Sequence, residues 1–176
     1  GGAMPVDVLQ LSKKMQVAQR PVIMVGGGGW TDLDREALHD CAYEANIPVV
    51  TAFRYHDLFD NTHPLYVGEA GVGMTANTKR ILREADVVLA VNLRFGEMTT
   101  DAFTLFGLER SGQWIVQTHR SGDEFYKYVS PDLAMICSPS AVLQSLHDRL
   151  ACCEMKVDTT WVAAARAGFE IAQKAK

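Results

Sequence analysis

Four consecutive glycines, Gly26-Gly27-Gly28-Gly29, stand between the apolar run Pro21-Val22-Ile23-Met24-Val25 and a segment with helical spacing. Glycine admits positive φ and lets a ligand's phosphate approach the backbone closely. The helix N-terminus behind such a turn presents free N–H groups and a partial positive charge, which favour an anion. A dinucleotide is the obvious ligand. The NAD fingerprint asks for GxGxxG and an acidic residue about 20 positions on. Gly26 and Gly28 supply the first two glycines, but the third place falls on Thr31, and the next apolar run ends Thr51-Ala52-Phe53-Arg54 without a carboxylate. A turn needed only for tight packing meets this pattern, and so does a nucleotide or flavin site. Ordinary NAD redox chemistry meets it least well.

Arg94 follows the strongest apolar run, at the edge where open α/β sheets take ligands. A guanidinium there either pairs bidentately with phosphate or ties down the long loop that follows. His119 ends the run 114–118 at the same edge, as a ligand contact or as a satisfied edge histidine. Glu97, Thr99 and Thr100 read as loop hydrogen-bonding residues. His56, Asp57 and Glu69 share a glycine-rich loop, but no nucleophile, base and orienting group can be assembled from them. The histidines at 39, 56, 63, 119 and 147 lack metal-ligand spacing. Trp30, Trp114 and Trp161 read as packing residues rather than stacking platforms.

The elements that would position these residues alternate. An amphipathic helix over 5–19 carries Val8, Leu11, Met15 and Ala18 on one face. A buried strand over 21–25 follows. Thr31 or Asp32 caps a helix that carries a stripe of Leu33, Ala37, Leu38 and Cys41 and runs to Asn46. Further strands are predicted over 47–51, 86–91, 114–118 and 133–137, with a short one at Leu65-Tyr66-Val67. Thr75 caps a helix to Glu84, and Ser138 with Pro139 opens one to Leu150. A polar joint and a tail helix over 160–174 end the chain. Continuous apolar strands alternating with helices predict an α/β Rossmann-like three-layer domain around a five- or six-stranded parallel sheet.

Composition excludes more than it assigns. The chain has 176 residues, enough for one domain, and its apolar content of 48% is that of a globular protein rather than a disordered one. Its 17 basic and 21 acidic side chains leave a charge of −4, without the footprint of a nucleic-acid binder. No apolar run reaches the roughly 18 residues that span a bilayer. Gly1-Gly2-Ala3-Met4 reads as a tag remnant, residues 5–150 as the folded unit and 151–176 as a linker with its helix. Cys41, Cys137, Cys152 and Cys153 form no CxxC and read as reduced thiols, which points to the cytoplasm.

Several of these segments together resemble the central domain of thiamine diphosphate-dependent enzymes, the superfamily of acetolactate synthase, benzoylformate decarboxylase and pyruvate oxidase. The stretches that carry the likeness are Arg20 through Gly28, Ile47-Pro48-Val49-Val50-Thr51, Asp60 through Gly73, Ala85 through Ala90 with Leu93-Arg94-Phe95, and Ser130-Pro131-Asp132-Leu133. The likeness covers residues 5–150 and is greatest to acetolactate synthase-like proteins. It implies a NAD/FAD-binding type of fold whose middle domain holds FAD or ADP in some members and nothing in others. The contacts it carries over are Gly26, Gly27, Gly28, Thr51, Gly71, Val72 and Arg94, with His119 where an aspartate is usual. Asn92 replaces a glycine of the pattern and Met98 an arginine.

In that family thiamine diphosphate and magnesium are held by two further domains, one with an activating glutamate and one with a Gly-Asp-Gly…Asn-Asn motif. Neither motif is in this chain; the nearest string is Gly122-Asp123-Glu124. The resemblance therefore implies an excised scaffold domain, possessing no catalytic residue of its own. Its parent would be a transferase or lyase acting on 2-keto acids, homo-oligomeric, with the missing N- and C-terminal domains as partners. A stand-alone FAD- or ADP-binding module is the alternative.

Overall fold

A computed structural model of the chain describes residues 5–71, 73–94, 112–125 and 129–176. Six strands form one sheet: β1 (Pro21–Val25), β2 (Val49–Ala52), β3 (Tyr66–Ala70), β4 (Val87–Val91), β5 (Trp114–His119) and β6 (Leu133–Ile136). Among the described residues five α-helices accompany them: α1 (Pro5–Val17), α2 (Asp32–Ala45), α3 (Ala76–Glu84), α4 (Pro139–Leu150) and α5 (Thr159–Lys174). Every strand pair is parallel and the order is β3-β2-β1-β4-β5-β6. The chain starts at the centre of the sheet, builds to one side, then returns and builds to the other. The reversal lies between β1 and β4, the crevice where doubly wound sheets take their ligands.

Both faces of the sheet are covered, which is why β1 and β4 are apolar at every position. Ile23, Val25, Leu89, Val91 and Val116 meet α1, α2 and α4 on one face. Val22, Met24, Val88, Ala90 and Ile115 meet α3 and α5 on the other. Cys41 and Cys137 lie in the first of these cores, where burial pushes their thiols up to about 12 and about 11. They act as small hydrophobes.

The sheet is at the upper end of the expected strand count. Three local expectations need correction. The second strand starts at Val49 rather than Ile47, because Pro48 donates nothing to the ladder. The short strand lies over Tyr66–Ala70 rather than 65–67, extending through Gly68 and Glu69. Leu33, placed in the buried stripe of α2, is 53% exposed; a residue at that position on the first turn faces away from the sheet.

The tail helix is part of this body. Asp158 caps it, Trp161 is buried with its Nε1–H donating to the Pro21 carbonyl (3.0 Å), and Asn77 Nδ2 donates to the Ala165 carbonyl (3.0 Å). Arg166 donates from one nitrogen to the carbonyls of Asn61, His63 and Tyr66. α5 thereby closes the face that α3 alone would leave open beside β3. No described helix is long and apolar enough to cross a membrane.

Candidate functional site

The carboxyl ends of the strands bring most of the expected site residues to one edge. Gly26, Gly27 and Gly28 leave β1, Thr51 is near the end of β2, Gly71 follows β3, Arg94 follows β4 and His119 is the last residue of β5. Val72 lies outside the described residues, as do Glu97, Met98, Thr99 and Thr100. Not all of these side chains face a common space. The Thr51 hydroxyl is within 2.9 Å of the Tyr66 hydroxyl, a bond inside the core. Burial raises the Tyr66 phenol, and the Thr51 bond opposes this. Gly71 has no room for a side chain, because a Cβ there would lie 2.5 Å from Cβ of Phe53.

The glycine turn is organised by a residue the sequence marked only as a departure. Asn92 follows β4 with φ +54°, the left-handed backbone that glycine favours and asparagine tolerates. Its amide is buried and its Nδ2 donates to the carbonyls of Gly26 (3.2 Å) and Gly28 (3.1 Å). Its own N–H donates to the Thr118 hydroxyl on β5 (3.2 Å). One residue thus ties together the ends of β1, β4 and β5. Gly27 has φ +74°, and a Cβ on it would lie 2.3 Å from the Asn92 carbonyl oxygen. Trp30 closes the turn from the other side, its Nε1–H donating to the Gly26 carbonyl (2.8 Å). Gly28 alone of the first three glycines faces open space.

The N-terminus of α2 is filled by a carboxylate of the chain itself. Thr31 caps the helix and Asp34 completes a capping box, its Oδ2 accepting from the Thr31 N–H (3.0 Å). Oδ1 of the same carboxylate accepts from the Ser140 N–H in the first turn of α4 (2.9 Å). Arg120 adds a charged bond at 3.2 Å, and the same guanidinium nitrogen donates to the Gly29 carbonyl (2.9 Å). The Asp34 side chain is only 3% exposed. Burial works to raise its carboxyl, but the bonds from Thr31 and Ser140 outweigh this and hold it below the usual carboxylate range. Asp34 and Arg120 went unmarked in the sequence reading. The Thr-x-x-Asp spacing at 31–34 was the available signal for the first.

Arg94 and His119 do meet. Arg94 Nε lies 3.4 Å from His119 Nε2, while Nδ1 of the same ring lies 3.0 Å from the Ser121 N–H and 3.1 Å from the Ser121 carbonyl. Next to them Gln117 is buried, donating from Nε2 to the Leu93 carbonyl (3.1 Å), while its Oε1 finds no partner among the described residues. A separate cleft of about 580 Å³ opens at the β3 edge between Thr75 of the α3 cap, Glu69, Gly71, Arg166 and Phe169. Among the described residues no three His, Cys, Asp or Glu side chains gather in a way that could hold a metal.

The turn does not fit the diphosphate of a flavin or of ADP. A diphosphate there needs a helix N-terminus without a fixed negative charge and a cation to meet it. Here the buried Asp34 carboxylate sets a negative charge beside the N-terminus of α2, and Arg120 is bound to that carboxylate and to the Gly29 carbonyl. No flavin or ADP contact is derived from these residues.

The thiamine pyrophosphate enzyme central domain is the family whose model matches, over residues 8–146. A probable acetolactate synthase large subunit of Methanocaldococcus jannaschii is 28% identical over 158 residues, 90% of this chain and 26% of that protein. A 3D-(3,5/4)-trihydroxycyclohexane-1,2-dione hydrolase of Clostridium perfringens is 37% identical over 57% of this chain and 15% of its own length. A sulfoacetaldehyde acetyltransferase of Castellaniella defragrans is 33% identical over 57% of this chain and 16% of its own. The chain thus spans about a quarter or less of the curated relatives it matches. With a family model matched over most of its length and a doubly wound parallel sheet beneath it, the chain belongs to the thiamine pyrophosphate enzyme family, as a central domain.

Proposed function

We propose that this chain serves as the non-catalytic middle domain of an acetolactate synthase-like enzyme that acts on 2-keto acids in the cytoplasm. The observation that carries this reading is the central-domain match over residues 8–146, on a chain that spans 26% of its acetolactate synthase relative. Thiamine diphosphate with magnesium supplies the electron sink for carbon–carbon bond chemistry in such a parent. Flanking domains, paired in a homo-oligomer, hold that cofactor. This domain spaces them and lends a wall and an interface. A sheet with a packed core on each face suits that task.

The test is activity assayed in two steps. The purified chain incubated with pyruvate, thiamine diphosphate and magnesium is expected to form no acetolactate and to release no carbon dioxide. Turnover by this chain alone overturns the reading. Activity is expected only when the domains encoded on either side in the same reading frame are joined to it.

A further inference from the structure

We propose that Asp34 is a resident anion that takes the place of a ligand phosphate between two helix N-termini, so that the β1–β4 crevice binds no flavin, ADP or other diphosphate. This goes beyond the scaffold role and does not depend on the parent's reaction. A carboxylate with backbone N–H donors on either side and a guanidinium beside it is the electrostatic arrangement of a bound phosphate group. Asp34 has all three: the Thr31 N–H at the head of α2, the Ser140 N–H at the head of α4, and Arg120. It is buried, so no external anion displaces it at low cost. Asn92 shapes the neighbouring turn through its carbonyls. Its amide spans the Gly26 and Gly28 carbonyls and its backbone lies against Gly27, which fixes the turn in one shape. Gly27 is then required by close packing on Asn92 rather than by a nucleotide. The result is a nucleotide-binding topology whose anion position has been internalised as a cross-link among α2, α4 and the Arg120 that follows β5.

The discriminating experiment is anion rescue. Asp34→Ala vacates the position and leaves its donors in place. Inorganic phosphate, added in millimolar steps against sodium chloride of equal ionic strength, is expected to raise the Tm of this variant saturably and to leave wild type unchanged. By ligand linkage the gain reaches several degrees when phosphate is about 100 times its Kd. No phosphate-specific gain overturns the proposal. FAD and ADP at 1 mM (a probe concentration of about that size) are expected to leave the wild-type Tm and the Gly26–Gly29 amide resonances unmoved. Saturable shifts at those amides overturn it too. Should Asp34→Ala not fold, Asp34→Asn retains one accepting oxygen. It is expected to fold with a Tm several degrees lower and to lose the acid limb of the stability curve below the ordinary carboxylate value of 3.8; an unchanged acid limb overturns the proposal.

Discussion

Neighbouring residues in the glycine run carry very different constraints. Gly27 combines positive φ with a Cβ position 2.3 Å from the Asn92 carbonyl, whereas Gly28 has nothing within 4 Å. Gly27→Ala is therefore expected to cost about 3 kcal/mol, and Gly28→Ala less than about 0.5 kcal/mol, both measured by urea denaturation. A second residue couples the fold to pH. His63 packs edge-on against His39 (5.4 Å between centroids) and Phe59 (5.3 Å), and its Nδ1 accepts from the Leu65 N–H (3.0 Å). Burial, then His39, then Arg166 hold the imidazole below its ordinary value of 6.5, against the pull of Asp60. The unfolded chain takes up that proton more readily. Stability is thus full above 6.5 and falls as pH drops below it toward the folded-state value. Denaturation at steps between about pH 5 and 7 is expected to show this slope, and His63→Gln to flatten it. Neither role was legible in the sequence. The glycines are alike by type, and what separates them is the backbone of a residue across the sheet. His63 became informative only once α2 and the loop after β2 lay side by side.

Among the elements, those covered on both faces were the easiest to read. β1 and β4 announce themselves because a strand with no wet face has no polar positions. Helix starts were legible as well, since Thr31, Thr75 and Ser138 each accept the backbone N–H that their type predicts. β3 was half hidden. Gly68 sits in it with φ +142° and no room for a side chain, its would-be Cβ 2.5 Å from the Thr78 hydroxyl, so α3 packs directly on the strand. The docking of α5 could not be read at all, because Trp161 and Arg166 donate to carbonyls of distant residues, which no side-chain pattern marks. Trp161→Ala removes a buried ring from the second core and is expected to cost about 3 to 5 kcal/mol. Trp161→Phe keeps most of the bulk but leaves the Pro21 carbonyl without its donor, an expected loss of about 1 to 2 kcal/mol. Equilibrium unfolding of the two variants separates packing from hydrogen bonding.

At the scale of the whole molecule the class of fold was legible, since strands without a polar face that alternate with helices leave few topologies open. The order of the strands was not, because each is apolar enough to pair with any other. That order has a consequence for how the chain is assembled. β1 is made first of these six strands, and it gains β2 as a neighbour soon afterwards, but its other partner, β4, is complete only at Val91. Until then a nascent chain can hold a half-sheet of β1, β2 and β3 whose open border is a strand apolar at every position. Closing the long loop to β4 costs entropy before any pairing repays it, so this step is slow relative to the local helices. During synthesis the centre of the finished sheet is thus its exposed border, and an interrupted chain is most adhesive at the strand that the mature fold buries most completely.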